Sequence, residues 1–323
     1  MLLTFTPNPC IERTLSLPEL IRGESHRVDT EAVFVNAGGK GINAARVAAR
    51  FGCQVMAIGA VGQHQSEFLR SLMQCEGINH DFIEIEADTR VCINVVHGDG
   101  DKTEIIENGT SINVHDGTRL LEKWRHWLPQ TRLATIGGSY PPSTNDASNW
   151  HATILCDMAA SAGVPVIYDG KGEPFARALA SKSPPWAIKP NLEEARAYLK
   201  RPLETPADEQ KAVRDFLRKG VEVVLLSCGS RGLYVGHRGG VEWFEAPQVK
   251  TVSAVGSGDS LVGAFAAKWL ETGDIFEAAR WGVAAGSANA AQQRPAFVTP
   301  EDVLPLLPQI KRATREIALQ ILA

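Results

Sequence analysis

Short apolar runs alternate along this chain with longer stretches whose apolar residues recur at helical spacing. Leu2 to Thr6 opens as a strand, and Gln54 to Val61, Leu133 to Ile136, Val164 to Tyr168, Trp186 to Ile188 and Val221 to Ser227 repeat the pattern. Gly41 to Phe51 (GINAARVAARF) gathers its apolar residues on one helical face, with Gly52 as a stop. Ser66 to Cys75, Asn149 to Ala162 and Ala207 to Arg218 also read as helices. Strand, helix, strand repetition predicts an α/β fold: a doubly wound, mainly parallel sheet covered by helices on both faces.

Two stretches break the rhythm. Residues 12–36 are strand-like and contain no helical pattern. Within 88–107, Arg90 to His97 and Lys102 to Ile106 flank Gly98-Asp99-Gly100-Asp101, a hairpin signal in which Gly and Asp supply the turn. Together these segments predict a small β lid inserted into one domain spanning residues 1–323.

The strongest chemical signal is Thr251 to Phe265 (TVSAVGSGDSLVGAF), where a strand-like stretch meets a Gly-x-Gly turn, an acid and a helix. Glycines let backbone approach a ligand, and the free N–H groups of a helix start favour an anion. Asp259 at that helix start is a contradiction unless it does chemistry. Phosphoryl transfer resolves it: the N–H groups of Gly256, Ser257 and Gly258 hold the developing charge, and the carboxylate takes the proton of the attacking hydroxyl. Read locally, Asp259 also fits a plain helix cap.

Further turns of the same kind follow. Asn36 to Asn43 (NAGGKGIN) opens the first long helix, and Lys40 and Asn43 can reach a ligand lying on it. In Trp186 to Ala195, Asn191 and Glu194 share a helical face and could orient a hydrated Mg²⁺ carried by phosphate oxygens; Asn191 alone also fits a cap. The loops Gly137 to Pro142 and Ser227 to Gly232 follow strands, where such sheets bind ligands. Commoner nucleotide signatures are absent: Lys40 and Lys171 follow glycines without a Ser or Thr after them, and Leu261 stands where a dinucleotide fingerprint needs its third glycine.

In this order the motifs resemble the ribokinase-like fold, and more closely the phosphofructokinase B family in its 1-phosphofructokinase and tagatose-6-phosphate kinase branch. The most specific segments are GGKGINAARV at 38–47, Thr89-Arg90, GGSYPPS at 137–143, IKPNLEEA at 188–195 and AVGSGDS at 254–260. The resemblance implies ATP and a sugar or sugar phosphate as substrates, with Mg²⁺ as the metal and potassium as an option near the catalytic loop. It implies Asp259 as catalytic base and Gly256 to Gly258 as the anion hole. Lys189, Asn191, Ser227, Gly229 and Gly232 would lie along the nucleotide, and Asn289 near the adenine. Gly38, Gly39, Asn43 and Ser139 would face the sugar. Lys40, Arg90 and, on the lid, Arg27 would meet a phosphate already on the substrate; Arg27 equally fits a solvated surface charge. Lids of relatives close over the sugar and pair two subunits, so a homodimer through the lid is expected.

The chain also departs from that pattern. Asn8-Pro9-Cys10-Ile11-Glu12 carries Glu12 where the family's sugar-contacting Asp stands. Ile106 replaces a polar Asn after Thr103-Glu104, and Gly170-Lys171-Gly172 replaces Thr-Ser-Gly. The reaction therefore reads more clearly than the sugar. Fructose 1-phosphate is the leading substrate, with tagatose 6-phosphate and fructose 6-phosphate beside it. A kinase of an unphosphorylated sugar or nucleoside, and a non-catalytic sensor of sugar phosphate and nucleotide, are the alternatives.

Composition narrows the partners. With 323 residues and a net charge of -4, the chain offers no basic excess for nucleic acid or an anionic membrane. Six cysteines at irregular spacing form no C-x-x-C pair, which argues against a zinc or redox motif. The N-terminus lacks a basic region ahead of its prolines, and no apolar run reaches membrane-spanning length; a reducing cytoplasm is expected.

Overall fold

The computed structural model describes residues 1–98, 101–142 and 150–314. Strands β1 (Leu2–Thr6), β2 (Cys10–Ser16) and β3 (Val33–Gly38) precede helix α1 (Lys40–Arg50). Then come β4 (Val55–Gly62), α2 (Ser66–Cys75), β5 (Ile83–Ile85), β6 (Val91–His97), β7 (Asp101–Ile106) and α3 (Val114–Trp127). The middle of the chain holds β8 (Leu133–Gly137), α4 (Ala152–Ser161), β9 (Val166–Asp169), α5 (Gly172–Leu179), β10 (Ala187–Ile188), α6 (Leu192–Leu199) and α7 (Pro206–Leu217). The last third holds β11 (Val223–Ser227), β12 (Gly232–His237), β13 (Gly240–Glu245), α8 (Ser257–Thr272), α9 (Ile275–Ala290), α10 (Pro300–Val303) and β14 (Arg312–Thr314).

Among the described residues the main sheet has ten strands in the order β14-β13-β12-β11-β10-β9-β8-β1-β4-β5. From β5 to β11 every pairing is parallel, and β12, β13 and β14 close the far edge antiparallel. Side chains alternate between two cores, as the two-residue period of a strand requires. Leu2, Leu133, Ile167, Val223 and Leu225 enter the core packed by α1, α2, α8 and α9. Leu3, Ala134, Tyr168, Val224 and Leu226 enter the opposite core, packed by α3, α4, α5, α6 and α7. Near-continuous apolar strands are therefore the signature of a sheet covered twice.

A second sheet has the order β3-β2-β6-β7, built from the two segments that broke the sequence rhythm. The β6–β7 register pairs Cys92 with Ile106 through His97 with Asp101, as a hairpin demands; its Asp99-Gly100 tip lies outside the described residues. Residues 17–32 are not strand. Pro18 cannot donate to a ladder, and after Leu17 pairs with Val96 the chain leaves the sheet until a short 3₁₀ turn at Thr30–Ala32.

Three other expectations shift. The stretch before Gly256 has no strand partner, and the Val252 and Ser253 amides instead bond the Ala290 carbonyl at the end of α9. Helix α1 begins at Lys40 rather than Gly41, because Gly39 at φ 109° already makes the turn. The helix expected from Asn149 begins at Ala152, its first residue lying outside the described ones. All six cysteines are free.

Candidate active site

The carboxyl ends of β1, β8, β9, β10 and β11 open into a cavity of about 1210 Å³, roofed on one side by β2, β6 and β7. Chain order reverses at β1, whose sheet neighbours are β4 and β8. Open α/β sheets form their crevice at such a point. Helix α1 starts directly above it: a Cβ on Gly41 would meet the Phe5 carbonyl at 2.9 Å, so only glycine lets the helix sit this close.

Asp259 is the third residue of α8, whose start is turned by Gly256 at φ 79°. It is therefore not the cap, and its carboxylate is buried in the cavity beside free N–H groups of the first turn. Asn43 Nδ2 donates to Asp259 Oδ2 at 2.8 Å. Helices α1 and α8 touch here because Gly263 lacks a side chain; a Cβ there would lie 2.5 Å from the Ala44 carbonyl. Burial pushes the Asp259 carboxyl up, against the pull of Lys40, to about 6.

Next to this carboxylate lies a charge cluster. Lys40 Nζ sits 2.9 Å from Asp169 Oδ1 and 3.5 Å from Glu194 Oε1, and Lys189 Nζ sits 3.3 Å from the same Asp169 oxygen. Burial alone would favour protonated Asp169, but Lys189 and Lys40 outweigh it and hold the carboxyl below its ordinary value. Burial likewise disfavours the Lys40 ammonium, and Asp169, Glu194 and Asp259 reverse that, keeping it charged. Lys189 also points at the start of α8, its Nζ 3.3 Å from where a Gly258 Cβ would stand.

At the other end of the cavity Glu12 is buried with Oε1 bonded by Asn94 Nδ2 at 2.7 Å. Burial raises its pKa, partly offset by Asn94. Arg90 stands beside it and spends its donors on the carbonyls of Asn8, at 2.8 and 3.1 Å, and Glu107, at 3.1 Å.

Most sequence-predicted residues meet in this cavity. Glu12, Gly39, Asn43, Arg90 and Ser139 line one end, and Lys189, Asn191, Ser227, Gly229 and Gly232 line the other, with Lys40 and Gly256 to Asp259 between them. Gly38 packs beneath, where a Cβ would meet Glu12 Cβ at 2.7 Å. Four readings change. Lys40 faces Asp169 rather than the Glu12 end. Arg27 is exposed on the irregular 17–32 segment and does not line the cavity, since that segment leaves the small sheet. Asn289 does not lie along the cavity either. It is buried, donates to the Val255 carbonyl at 2.7 Å and to Ser257 Oγ at 3.0 Å, and accepts from Ala296 N and Ser260 Oγ, so it braces the 255–260 turn. Asn191 and Glu194 form a capping box, Asn191 Oδ1 accepting from Glu194 N at 2.8 Å and Glu194 Oε2 from Asn191 N at 2.9 Å.

Sequence reasoning passed over Asp169, Asn94 and Arg46. Asp169 had a signal, an acid ending an apolar strand just before Gly170. Asn94 and Arg46 sit inside runs that read as ordinary strand and helix, and only their partners reveal them.

A buried carboxylate at a helix start stands beside a lysine–carboxylate cluster in the roofed crevice of a doubly wound fold. Residues 6–302 match the pfkB family carbohydrate kinases, and the chain belongs to that family: it is an ATP-dependent sugar kinase. Solved structures agree. Phosphofructokinase-2 from Escherichia coli in complex with fructose-6-phosphate is 27% identical with TM-score 0.82, over 95% of this chain and 98% of that one. The same enzyme in complex with potassium is 28% identical with TM-score 0.83 over the same shares. A Thermotoga maritima protein described as a possible 1-phosphofructokinase shares the fold at TM-score 0.88 and 22% identity, over 98% and 99% of the two chains.

Proposed function

We propose that this kinase transfers the γ-phosphoryl group of ATP to a ketohexose monophosphate, with fructose 1-phosphate as the leading substrate and fructose 6-phosphate and tagatose 6-phosphate as close candidates. The observation that carries the reading is Asp259: a buried carboxylate at a helix start, aimed by Asn43 and flanked by two lysines. Asp259 takes the proton of the sugar hydroxyl as that oxygen attacks phosphorus. The backbone N–H groups of Gly256, Gly258 and Asp259 hold the charge developing on the phosphoryl oxygens, the Ser257 N–H being taken by the Ala254 carbonyl. Lys40 and Lys189, both paired with Asp169, neutralise the same group, so Lys40 serves the transferred phosphoryl rather than the sugar's own phosphate. Glu12, which lines the cavity, accepts from a sugar hydroxyl, and the Arg90 N–H groups not used on Asn8 and Glu107 favour a substrate that already carries phosphate.

For magnesium, the test is what the Asn191–Glu194 pair has left to offer. The capping box consumes Asn191 Oδ1 and Glu194 Oε2, and Glu194 Oε1 lies 3.5 Å from Lys40. That fits a hydrated ion carried on the phosphates, which Glu194 would help to hold through water and which would supply charge neutralisation of the phosphates.

The lid is proposed to pair with a second copy. Ile105 and Ile106 on β7 are 58% and 56% exposed, apolar area that pairing would cover. Light scattering of the wild type and Ile105→Glu tests this, a monomeric wild type ruling it out.

The function is tested by ADP release from purified protein with each ketohexose monophosphate, with free sugars and with nucleosides. Turnover with a monophosphate is expected; turnover only with an unphosphorylated acceptor overturns the substrate, and ligand binding without ADP favours a sensor. Replacing K⁺ by a tetraalkylammonium ion in the same assay shows whether turnover needs a monovalent cation.

A further inference from the structure

Behind Asp259 lies a buried arginine that the proposed chemistry does not use. Arg46 follows Asn43 by one turn on α1, and its side chain is 1% exposed. Its Nη1 donates to Asn43 Oδ1 at 2.6 Å and its Nη2 to the Ala37 carbonyl at 2.5 Å. Its Nε pairs with Glu76, the residue that ends α2, and Nη2 adds a longer contact to Glu76 Oε1 at 3.3 Å. The Phe297 ring covers the guanidinium at 4.9 Å.

Arginine only donates, so the Asn43 atom facing it must be the amide oxygen. The amino group is then the atom facing Asp259, at 2.8 Å. Rotated by half a turn, the same amide would set its NH₂ against a guanidinium and its oxygen against a carboxylate, two repulsive contacts in a buried site. Arg46 excludes that state, and Glu76 and the Ala37 carbonyl exclude rotation of Arg46 itself.

We propose that Arg46, held by Glu76, is a positioning residue for phosphoryl transfer: it locks the Asn43 amide in the one orientation that donates to Asp259 and so aims the base. The inference rests on Asp259 being that base. The surrounding charges do not substitute for it. Arg50 and Arg294 also face Arg46 but donate nothing to Asn43 Oδ1, Arg50 bonding the Phe297 carbonyl and Arg294 the Asn36 side chain, and Glu12, which meets the amino side of Asn43, holds no hydrogen for its oxygen. Lys40, Lys189 and Asp169 face Asp259 from other directions. An ion pair needed only for stability would not require the Asn43 contact, and apolar replacement of a buried pair is often neutral.

A double-mutant cycle separates the two roles, with kcat, KM for ATP and the melting temperature read on Arg46→Met, Asn43→Ala and the double variant. Asp259→Asn is the control: if it keeps full turnover, the base assignment fails on its own, whatever Arg46 does. With that control inactive, Arg46→Met is expected to lower kcat by roughly 10²-fold with KM for ATP unchanged. On the Asn43→Ala background the same change should cost less than about threefold, because there is no amide left to orient. Equal losses of kcat on both backgrounds, or a lowered melting temperature with kcat intact, overturn the proposal. If Arg46→Met does not fold, Arg46→Lys replaces it in the same cycle with the same two outcomes, since lysine offers Asn43 one flexible donor in place of a braced one.

Discussion

Lys40 Nζ lies 2.9 Å from Asp169 Oδ1, joining the first turn of α1 to the carboxyl end of β9. Lys189 reaches the same oxygen at 3.3 Å, so one carboxylate compensates two cations that line the cavity beside Asp259. Lys189 and Asp169 side chains are 3% and 4% exposed, while Lys40 is 34% exposed and more screened. Asp169→Asn should therefore destabilise chiefly by stranding Lys189, by about 3–5 kcal/mol. Denaturant melts measure it, and Lys40→Met on the Asp169→Asn background should recover part of the loss. An unmoved unfolding midpoint in Asp169→Asn would show that the cluster is compensated elsewhere.

Asp259 gives a signed pH dependence. Its folded pKa is about 6, raised from 3.8 by burial, so the carboxyl is protonated below about pH 6, and turnover that uses it as the proposed base should fall there. A raised carboxyl pKa contributes stability that is present below pH 3.8 and lost as pH rises through about 6. At pH 7.5 Asp259 thus costs up to about 3 kcal/mol. Asp259→Asn should melt higher than the wild type at pH 7.5 while losing about 10²–10⁴-fold in kcat, and the stability gain should shrink toward pH 4. A variant equally stabilised at both pH values would contradict the linkage.

Gly263 lets α1 and α8 approach until Asn43 meets Asp259. A methyl group there would collide with the Ala44 carbonyl at 2.5 Å and Val47 Cβ at 2.8 Å. Gly263→Ala should cost about 1–3 kcal/mol and lower kcat together with stability, because separating the helices pulls Asn43 from the base. Calorimetry and turnover on one preparation check both; full kcat in a destabilised variant would uncouple the helix crossing from the site.

Glu12 lines the cavity, and its carboxylate meets the Asn94 and Asn43 side chains. Glu12→Gln keeps an oxygen for Asn94 and removes the charge offered to a sugar hydroxyl. The KM for the sugar substrate should rise by about 10- to 150-fold, the loss of a hydrogen bond to a charged group, with KM for ATP unchanged. Matching rises in both constants would place Glu12 in the scaffold rather than at the sugar.

The fold was largely legible because its cause is local. A sheet covered on both faces needs apolar strands of a few residues between helical stripes, and that pattern is written in Leu2 to Thr6, Leu133 to Ile136 and Val221 to Ser227. The antiparallel hairpin of β12 and β13 was not anticipated, and neither was the departure of residues 17–32 from the lid. Both depend on whether a neighbouring strand is available, which no stretch of sequence states.

The candidate site divides along the same line. The chemistry-bearing turns, 36–43, 188–194 and 254–260, are legible locally, because glycines, a helix start and an acid act within a few residues of one another. So is the place of Asp259, since the anion-favouring end of a helix is a property of the local backbone. Tertiary structure alone decided what each side chain faces. It turned Lys40 to Asp169, used Asn289 as a brace for the catalytic turn, took the oxygens of Asn191 and Glu194 into a cap, and set Arg46 behind Asn43. Those assignments rest on atoms brought within about 3 Å from residues as far apart as Asn43 and Asp259, and a distance of that kind exists only after the helices have packed.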